Sequence, residues 1–316
     1  MEINMKKVLR IILALVLMCS MFAVASAEGK KLKVAYITNS MSNEMNAYGF
    51  KIMEQHADQY NMEVTAFDGQ YNAQVETAAI TNCIGQGFDA IILCPSDINA
   101  VVPAVMQAKD AGVIVAMYSA DLTPEFRELR DIFVGVDDTI AGEQAAQAII
   151  AHFPDGAKVI EIGGAAGSDA QNRRHDGFTA ALEGSNIEVI GYQACDTWSA
   201  DQAMSITQDM IVKFGKDIQA VFCHWDNGAT GCIEALKNAG IEGTFVVAID
   251  GCRGGFDQVK AGTQSVCISQ NVVNISVKTL EVIRAAADGE AYEAENFIPL
   301  DTVTAENVDT FPYPEW

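Results

Sequence analysis

The sequence predicts an α/β protein built from two doubly wound, parallel-sheet lobes, and three observations carry that expectation. Short apolar runs alternate along the chain with longer stretches of helical period, the pattern of repeated β-α-β units. The runs are nearly continuous in Val, Ile, Leu and Ala instead of alternating with polar residues, as strands covered on both faces require. A block of sequence recurs: 91–97 (IILCPSD), followed by a helical stretch and AKDAGV at 108–113, resembles 220–226 (AVFCHWD), followed by a helical stretch and LKNAGI at 236–241. The length of 316 residues suits about two domains of ordinary size, each large enough for its own core.

Strands are expected at 34–38, 63–67, 90–94, 113–118 and 132–136, then at 158–162, 188–191, 220–223, 245–249 and 265–269. Between them the spacing predicts amphipathic helices. Ile98, Val101, Val102, Val105 and Ala108 share one helical face, as do Ala203, Thr207, Met210, Ile211 and Phe214. Ser199 with Gln202 three residues on is a capping-box pattern at the start of the second stripe. No Pro- or Ser-rich linker separates the two halves, so the lobes are expected to be joined by short hinge strands around a cleft that opens and closes.

The N-terminus has a separate logic. Lys6, Lys7 and Arg10 precede an apolar run over 11–25 interrupted only by Ser20, followed by Ala25-Ser26-Ala27. This is the layout of a cleavable export signal, shorter than the roughly 18 apolar residues of a spanning helix. Residues 1–27 are therefore expected to be a signal peptide and the protein to be periplasmic. Cys19 raises a lipoprotein alternative, disfavoured because Met18 is bulkier than such processing sites accept. The formal charge of −22 becomes more negative once this basic segment leaves, which excludes a nucleic-acid partner. Seven cysteines remain, an odd number without any C-x-x-C, and are expected to be small buried hydrophobes.

In doubly wound sheets ligands bind beyond the carboxyl ends of the strands, and the residues there are polar and varied. Asn39, Asn43 and Asn46 follow the first strand; Asn172 and Arg174 follow the glycine-rich 163–167 stretch; Trp225-Asp226, Asp250 and Gln270 end later strands, and Trp198 precedes a helix. Amides, an arginine, carboxylates and tryptophans suit a neutral polyhydroxylated ligand, whose hydroxyls need paired donors and acceptors and whose ring faces stack on aromatic planes. Taken singly, each has a plainer role: Asn39 and Asn43 as helix caps, the arginines as solvated side chains, the tryptophans as core. Acid pairs such as Asp137-Asp138 are expected on a solvated face. Catalytic patterns are missing: 163–167 lacks a P-loop lysine, no H-x-x-x-H zinc pair and no G-x-S-x-G elbow occur. No catalytic residue, metal or cofactor is expected.

Over essentially its whole length beyond residue 27 the chain resembles the type I periplasmic binding proteins of the ribose-binding kind. The resemblance rests on KVAYI at 33–37 with Asn43, GFDAIILCP at 87–95, RHDGF at 174–178, Trp198 with Ala203, Asp226, AIDG at 248–251 and Ser269-Gln270. It implies Rossmann-like lobes and ligand contacts at Asn39, Asn43, Met45, Asn46, Ser119, Ala120, Asn172, Arg174, Trp198, Trp225, Asp250 and Gln270, with Asp226 a further site residue. The ribose pattern has two phenylalanines at Met45 and Asn46, an Asp-Arg pair at Ser119-Ala120 and Asn at Trp225, so ribose is not the expected ligand. Crossings between lobes are implied near Val136, Gln270 and Pro299, giving lobes 28–136 plus 271–299 and 137–270 plus 300–316. The implied function is capture of a sugar or polyol and delivery to an ABC transporter permease. A ligand-presenting role toward a membrane chemoreceptor or sensor kinase, and an exported carbohydrate-acting enzyme, are the alternatives.

Overall fold

The computed structural model describes residues 30–316, so the expected signal peptide at 1–27 and Cys19 lie outside the described residues. The first half runs β1 (Leu32–Thr38), α1 (Glu44–His56), β2 (Met62–Asp68), α2 (Ala73–Gly85), β3 (Ala90–Cys94), α3 (Val102–Asp110), β4 (Ile114–Tyr118) and β5 (Ile132–Gly135). The second runs α4 (Asp138–His152), β6 (Ala157–Ala165), α5 (Asp169–Leu182), β7 (Ile187–Cys195), α6 (Ala200–Phe214), β8 (Ala220–Cys223), α7 (Asp226–Asn238), β9 (Phe245–Asp250), α8 (Arg253–Ala261) and β10 (Val266–Ser269). Then follow α9 (Val272–Asp288), β11 (Glu295–Phe297) and β12 (Asp301–Thr304).

Two six-stranded sheets result, ordered β11-β5-β4-β3-β1-β2 and β12-β10-β9-β8-β6-β7. Every pairing is parallel except β10 with β12. The two orders are the same doubly wound pattern, and the repeated block falls on equivalent strands, β3 and β8. The chain leaves the first sheet after β5, returns through α9 after β10, and passes once more between β11 and β12.

Alternation across each strand feeds two cores. Val34 and Tyr36 face Met53, Ile275, Leu280 and Ile283 of α1 and α9; their neighbours Ala35 and Ile37 face Ile80 of α2 and Val105 and Ala108 of α3. In the second sheet Ile160, Ile162 and Cys223 meet α6 and α7, while Val159, Phe222 and Val247 meet α4 and α5. The seven described cysteines are all buried and free. Ser199 caps α6 by accepting from the Gln202 amide, and Gln202 reaches back to accept from Asp196 N at 2.8 Å.

Two sequence expectations fall short. β7 is longer than 188–191, because it is an edge strand whose exposed residues and Gly191 break the apolar pattern. β11 and β12 were not expected at all; at 3 and 4 residues, mostly exposed or half-buried, they carry no hydrophobic signature.

Candidate functional site

A cavity of about 350 Å³ opens between the two sheets at the carboxyl ends of their strands. Asn39 enters it after β1, Ser119 and Ala120 after β4, Trp225 after β8, Asp250 at the end of β9 and Gln270 after β10. Asn43, Met45 and Asn46 come from the start of α1, Arg174 from α5, and Trp198 from the loop before α6. Eleven of the thirteen residues singled out in the sequence thus line one space.

The polar side chains are held in place by one another. Asn46 Nδ2 donates to Asn39 Oδ1 at 2.8 Å and to the Ser40 carbonyl at 3.3 Å, and its Oδ1 accepts from the Tyr36 hydroxyl at 3.3 Å. Asn46 is therefore spent on fixing the loop, and Asn39 is aimed by it. Asn43 is the N-cap of α1, its side chain accepting from the Asn46 amide. Arg174 is buried; Nε donates to Asp138 Oδ1 at 2.7 Å and Nη1 to the His224 carbonyl. Nη2 keeps no hydrogen-bond partner among the described residues, and the guanidinium carbon stands 5.7 Å from the Trp198 ring centre.

Gln270 Nε2 donates to Asp250 Oδ1 at 2.7 Å. Burial pushes the Asp250 carboxyl up to about 8; the Arg174 charge works against that and the Asp226 carboxylate with it. Asp250 also has φ of 136°, a conformation that L-residues with a side chain avoid and that is retained mainly at functional sites.

The aromatic wall is seated on glycines. A Cβ at Gly164 would come within 2.1 Å of the Trp198 ring, and one at Gly228 within 2.5 Å of the Trp225 ring. The two indoles meet edge to face, centroids 5.4 Å apart. Among the described residues, two buried polar atoms of residues bordering the cavity have no partner: the Ser119 hydroxyl on the first-lobe side, on a residue in the left-handed conformation, and Trp225 Nε1 on the second. Buried donors and acceptors are rarely left unmatched without a reason.

Two expected contacts lie elsewhere. Asn172 is on the exposed face of α5, two residues before Arg174 and so turned away from the cavity. Asp226 is wholly buried beneath it, accepting from the amides of Gly251 and Cys252 and from Gln264 and Cys267 side chains. It fixes the loop that presents Asp250. Asp138, read as part of a solvated pair, is buried against Arg174, and Asp137 caps α4 while accepting from Arg173 at 2.6 Å. Glu44, Asn227 and Trp316 also line the cavity. The first two neighbour residues the strand-end rule picked out; Trp316 follows no strand and has no such signal.

Among the described residues no group of three His, Cys, Asp or Glu side chains is placed to hold a metal. The mix of donors, acceptors and aromatic faces fits hydroxyl groups on an apolar ring.

Residues 34–291 match the periplasmic binding protein domain profile. The ribose import binding protein of Salmonella typhimurium is 28% identical over 302 residues, covering 95% of this chain and 99% of that protein. The xylitol-binding protein of Mycolicibacterium smegmatis is 27% identical, covering 90% and 80%. Among solved structures, a Caulobacter myo-inositol binding protein superposes with a TM-score of 0.84 at 21% identity over 90% of this chain and 96% of that one.

Proposed function

The chain belongs to the periplasmic binding protein domain family, and on that premise we propose that it captures a sugar or polyol between its lobes and delivers it to an ABC importer permease. The protein is exported by cleavage of residues 1–27 and works outside the cytoplasm as a non-catalytic receptor. Its lobes are 28–136 with 271–299 and 137–270 with 300–316. Asn39, Asn43, Ser119, Arg174, Trp198, Trp225, Asp250 and Gln270 contact the ligand; Asn46 and Asp226 position those that do.

The observation that carries this reading is the convergence of polar and aromatic side chains from both sheets on one cavity. Asn39, Asn43, Arg174, Asp250 and Gln270 bring amide, guanidinium and carboxyl groups around one space flanked by the Trp198 and Trp225 indoles. A ligand bearing several hydroxyls satisfies these groups together. Relatives named for ribose and for xylitol lie at 28% and 27% identity, so identity does not choose between them. The Met45, Ser119-Ala120 and Trp225 substitutions argue against ribose: the Asp-Arg pair that would bind its hydroxyls is absent, and a site built for hydrogen bonds rejects a ligand that cannot complete them.

A thermal-shift panel of D-ribose, D-allose, D-fucose, D-fructose, xylitol and myo-inositol tests the reading. At a hundredfold excess over Kd a ligand specific for the folded state contributes about 2.7 kcal/mol, on the order of 5 °C for a chain of this size. One or more members other than ribose should produce such a shift, and Asp250→Ala and Trp198→Ala should abolish it in a folded protein. Silence from the whole panel, or a shift retained in both variants, overturns the reading.

A further inference from the structure

We propose that Trp316 is a ligand-contacting, specificity-determining residue: the 311–316 segment, anchored on the second lobe, swings an indole across to complete the first-lobe wall of the cavity. The inference rests on the sugar-site reading above. Three sets of contacts carry it. The segment is tied to α8, with Arg253 N donating to the Trp316 carbonyl at 2.6 Å, Arg253 Nη2 to the Glu315 carbonyl at 3.1 Å, and the Tyr313 hydroxyl to Asp257 at 2.8 Å. The indole leaves that lobe and stacks on Tyr48 of α1, centroids 5.9 Å apart and planes 15° from parallel. It is at the same time part of the cavity lining.

The indole has a specific vacancy to fill. On the first-lobe side α1 offers Met45 to the cavity, and among the described residues no aromatic side chain of the first lobe lines it, whereas the second lobe supplies Trp198 and Trp225. A sugar ring held between lobes is stabilised by an aromatic plane on each side, and Trp316 supplies the missing plane from outside the strand ends. It also divides two spaces. A second cavity of about 260 Å³ lies behind it, and Trp316 and Asp250 border both. Removing the indole joins them and leaves the ring of a monosaccharide unsupported.

The test is titration calorimetry and stopped-flow release on the full chain with each of D-allose, D-fucose, D-fructose, xylitol and myo-inositol, for wild type, Trp316→Ala, Trp316→Phe and Asp250→Ala. For the pyranose or cyclitol that binds wild type, Trp316→Ala is expected to weaken affinity at least tenfold, chiefly through faster release, with Trp316→Phe within about threefold of wild type. Circular dichroism establishes that the variants are folded; if Trp316→Ala is not, the Phe variant and Tyr48→Ala, which removes the stacking partner, decide the matter by the same release rates. Affinity and release within twofold of wild type in Trp316→Ala, while Asp250→Ala abolishes binding, overturns the inference and leaves the site reading standing. Failure of every probe to bind wild type removes the site reading and this inference with it.

Discussion

Asp250 concentrates the chemistry of the cavity in one side chain. It ends β9 in a strained conformation, one carboxylate oxygen is held by Gln270, and the amides just after it are fixed by the buried Asp226. Burial lifts its folded-state value to about 8 from an ordinary 3.8. The native protein therefore binds a proton that the unfolded chain releases between about pH 4 and pH 8. Stability falls as pH rises through that window, because the native state holds the extra proton. Asp169 is lifted in the same sense to about 6, whereas burial lowers the His224 imidazole from its ordinary 6.5 and acts with the opposite sign, so the Asp250 contribution is isolated by comparing its variant with wild type. In ligand-free protein Asp250→Asn, which mimics the protonated acid, should flatten the decline of denaturation midpoint over that range. Parallel curves for variant and wild type would mean that Asp250 is ionised throughout. Asp226 teaches the complementary lesson. As a sequence it is a strand-end acid like Asp250, and only its four hydrogen bonds, from the Gly251 and Cys252 amides, Gln264 and the β10 residue Cys267, reveal that it supports the loop beneath the cavity.

Elements deliver the aromatic wall through glycines at helix starts and strand ends. Trp225 occupies the N-cap position of α7 without a side-chain cap bond, and its indole lies over Gly228 in the first turn. Gly228→Ala should raise helix propensity by up to about 1 kcal/mol, yet its Cβ would meet Trp225 at 2.5 Å and push the indole into the cavity. The expected outcome is a thermal midpoint lowered by no more than a few degrees together with sugar affinity reduced about tenfold or more, measured by calorimetry. Unchanged affinity would show that the indole position is immaterial to binding. Periodicity made the long elements legible: β3 and β8 are apolar throughout, and the stripe from Ala203 to Phe214 became α6. It fails where burial is one-sided or partial, as in β11 and β12, and at residues such as Trp316 whose place depends on where a distant segment docks. The Asp137-Asp138 pair escaped for the same reason: nothing local announces that Arg174, 36 residues on from Asp138, will sit against it.

At the scale of the whole molecule the two sheets are linked around the cavity by contacts that do not involve the covalent crossings. Asn227 Nδ2 donates to Glu44 at 2.9 Å, Asp121 N donates to Asp169 at 3.0 Å, Lys51 faces Glu315 at 3.6 Å, and Tyr48 stacks on Trp316. Three of the four join polar groups and only the last packs apolar rings, the kind of interface that opens at modest cost. Without a ligand the same contacts close over a cavity lined by polar side chains such as Asn39, Arg174 and Asp250, and taking such groups from water without new partners opposes closure. A sugar reverses the balance only by contacting both sides at once, since a ligand shifts such an equilibrium by no more than its differential affinity for the two states. Small-angle scattering should therefore give a larger radius of gyration for the sugar-free protein than this structure has, falling to that of the structure at saturation with a panel sugar. Asp250→Ala should stay at the larger value at the same sugar concentration, the outcome that the proposed contact between Asp250 and the sugar requires. A radius of gyration that does not move while calorimetry reports a saturated site would mean that binding and closure are uncoupled, and that the contacts between the sheets form a fixed joint.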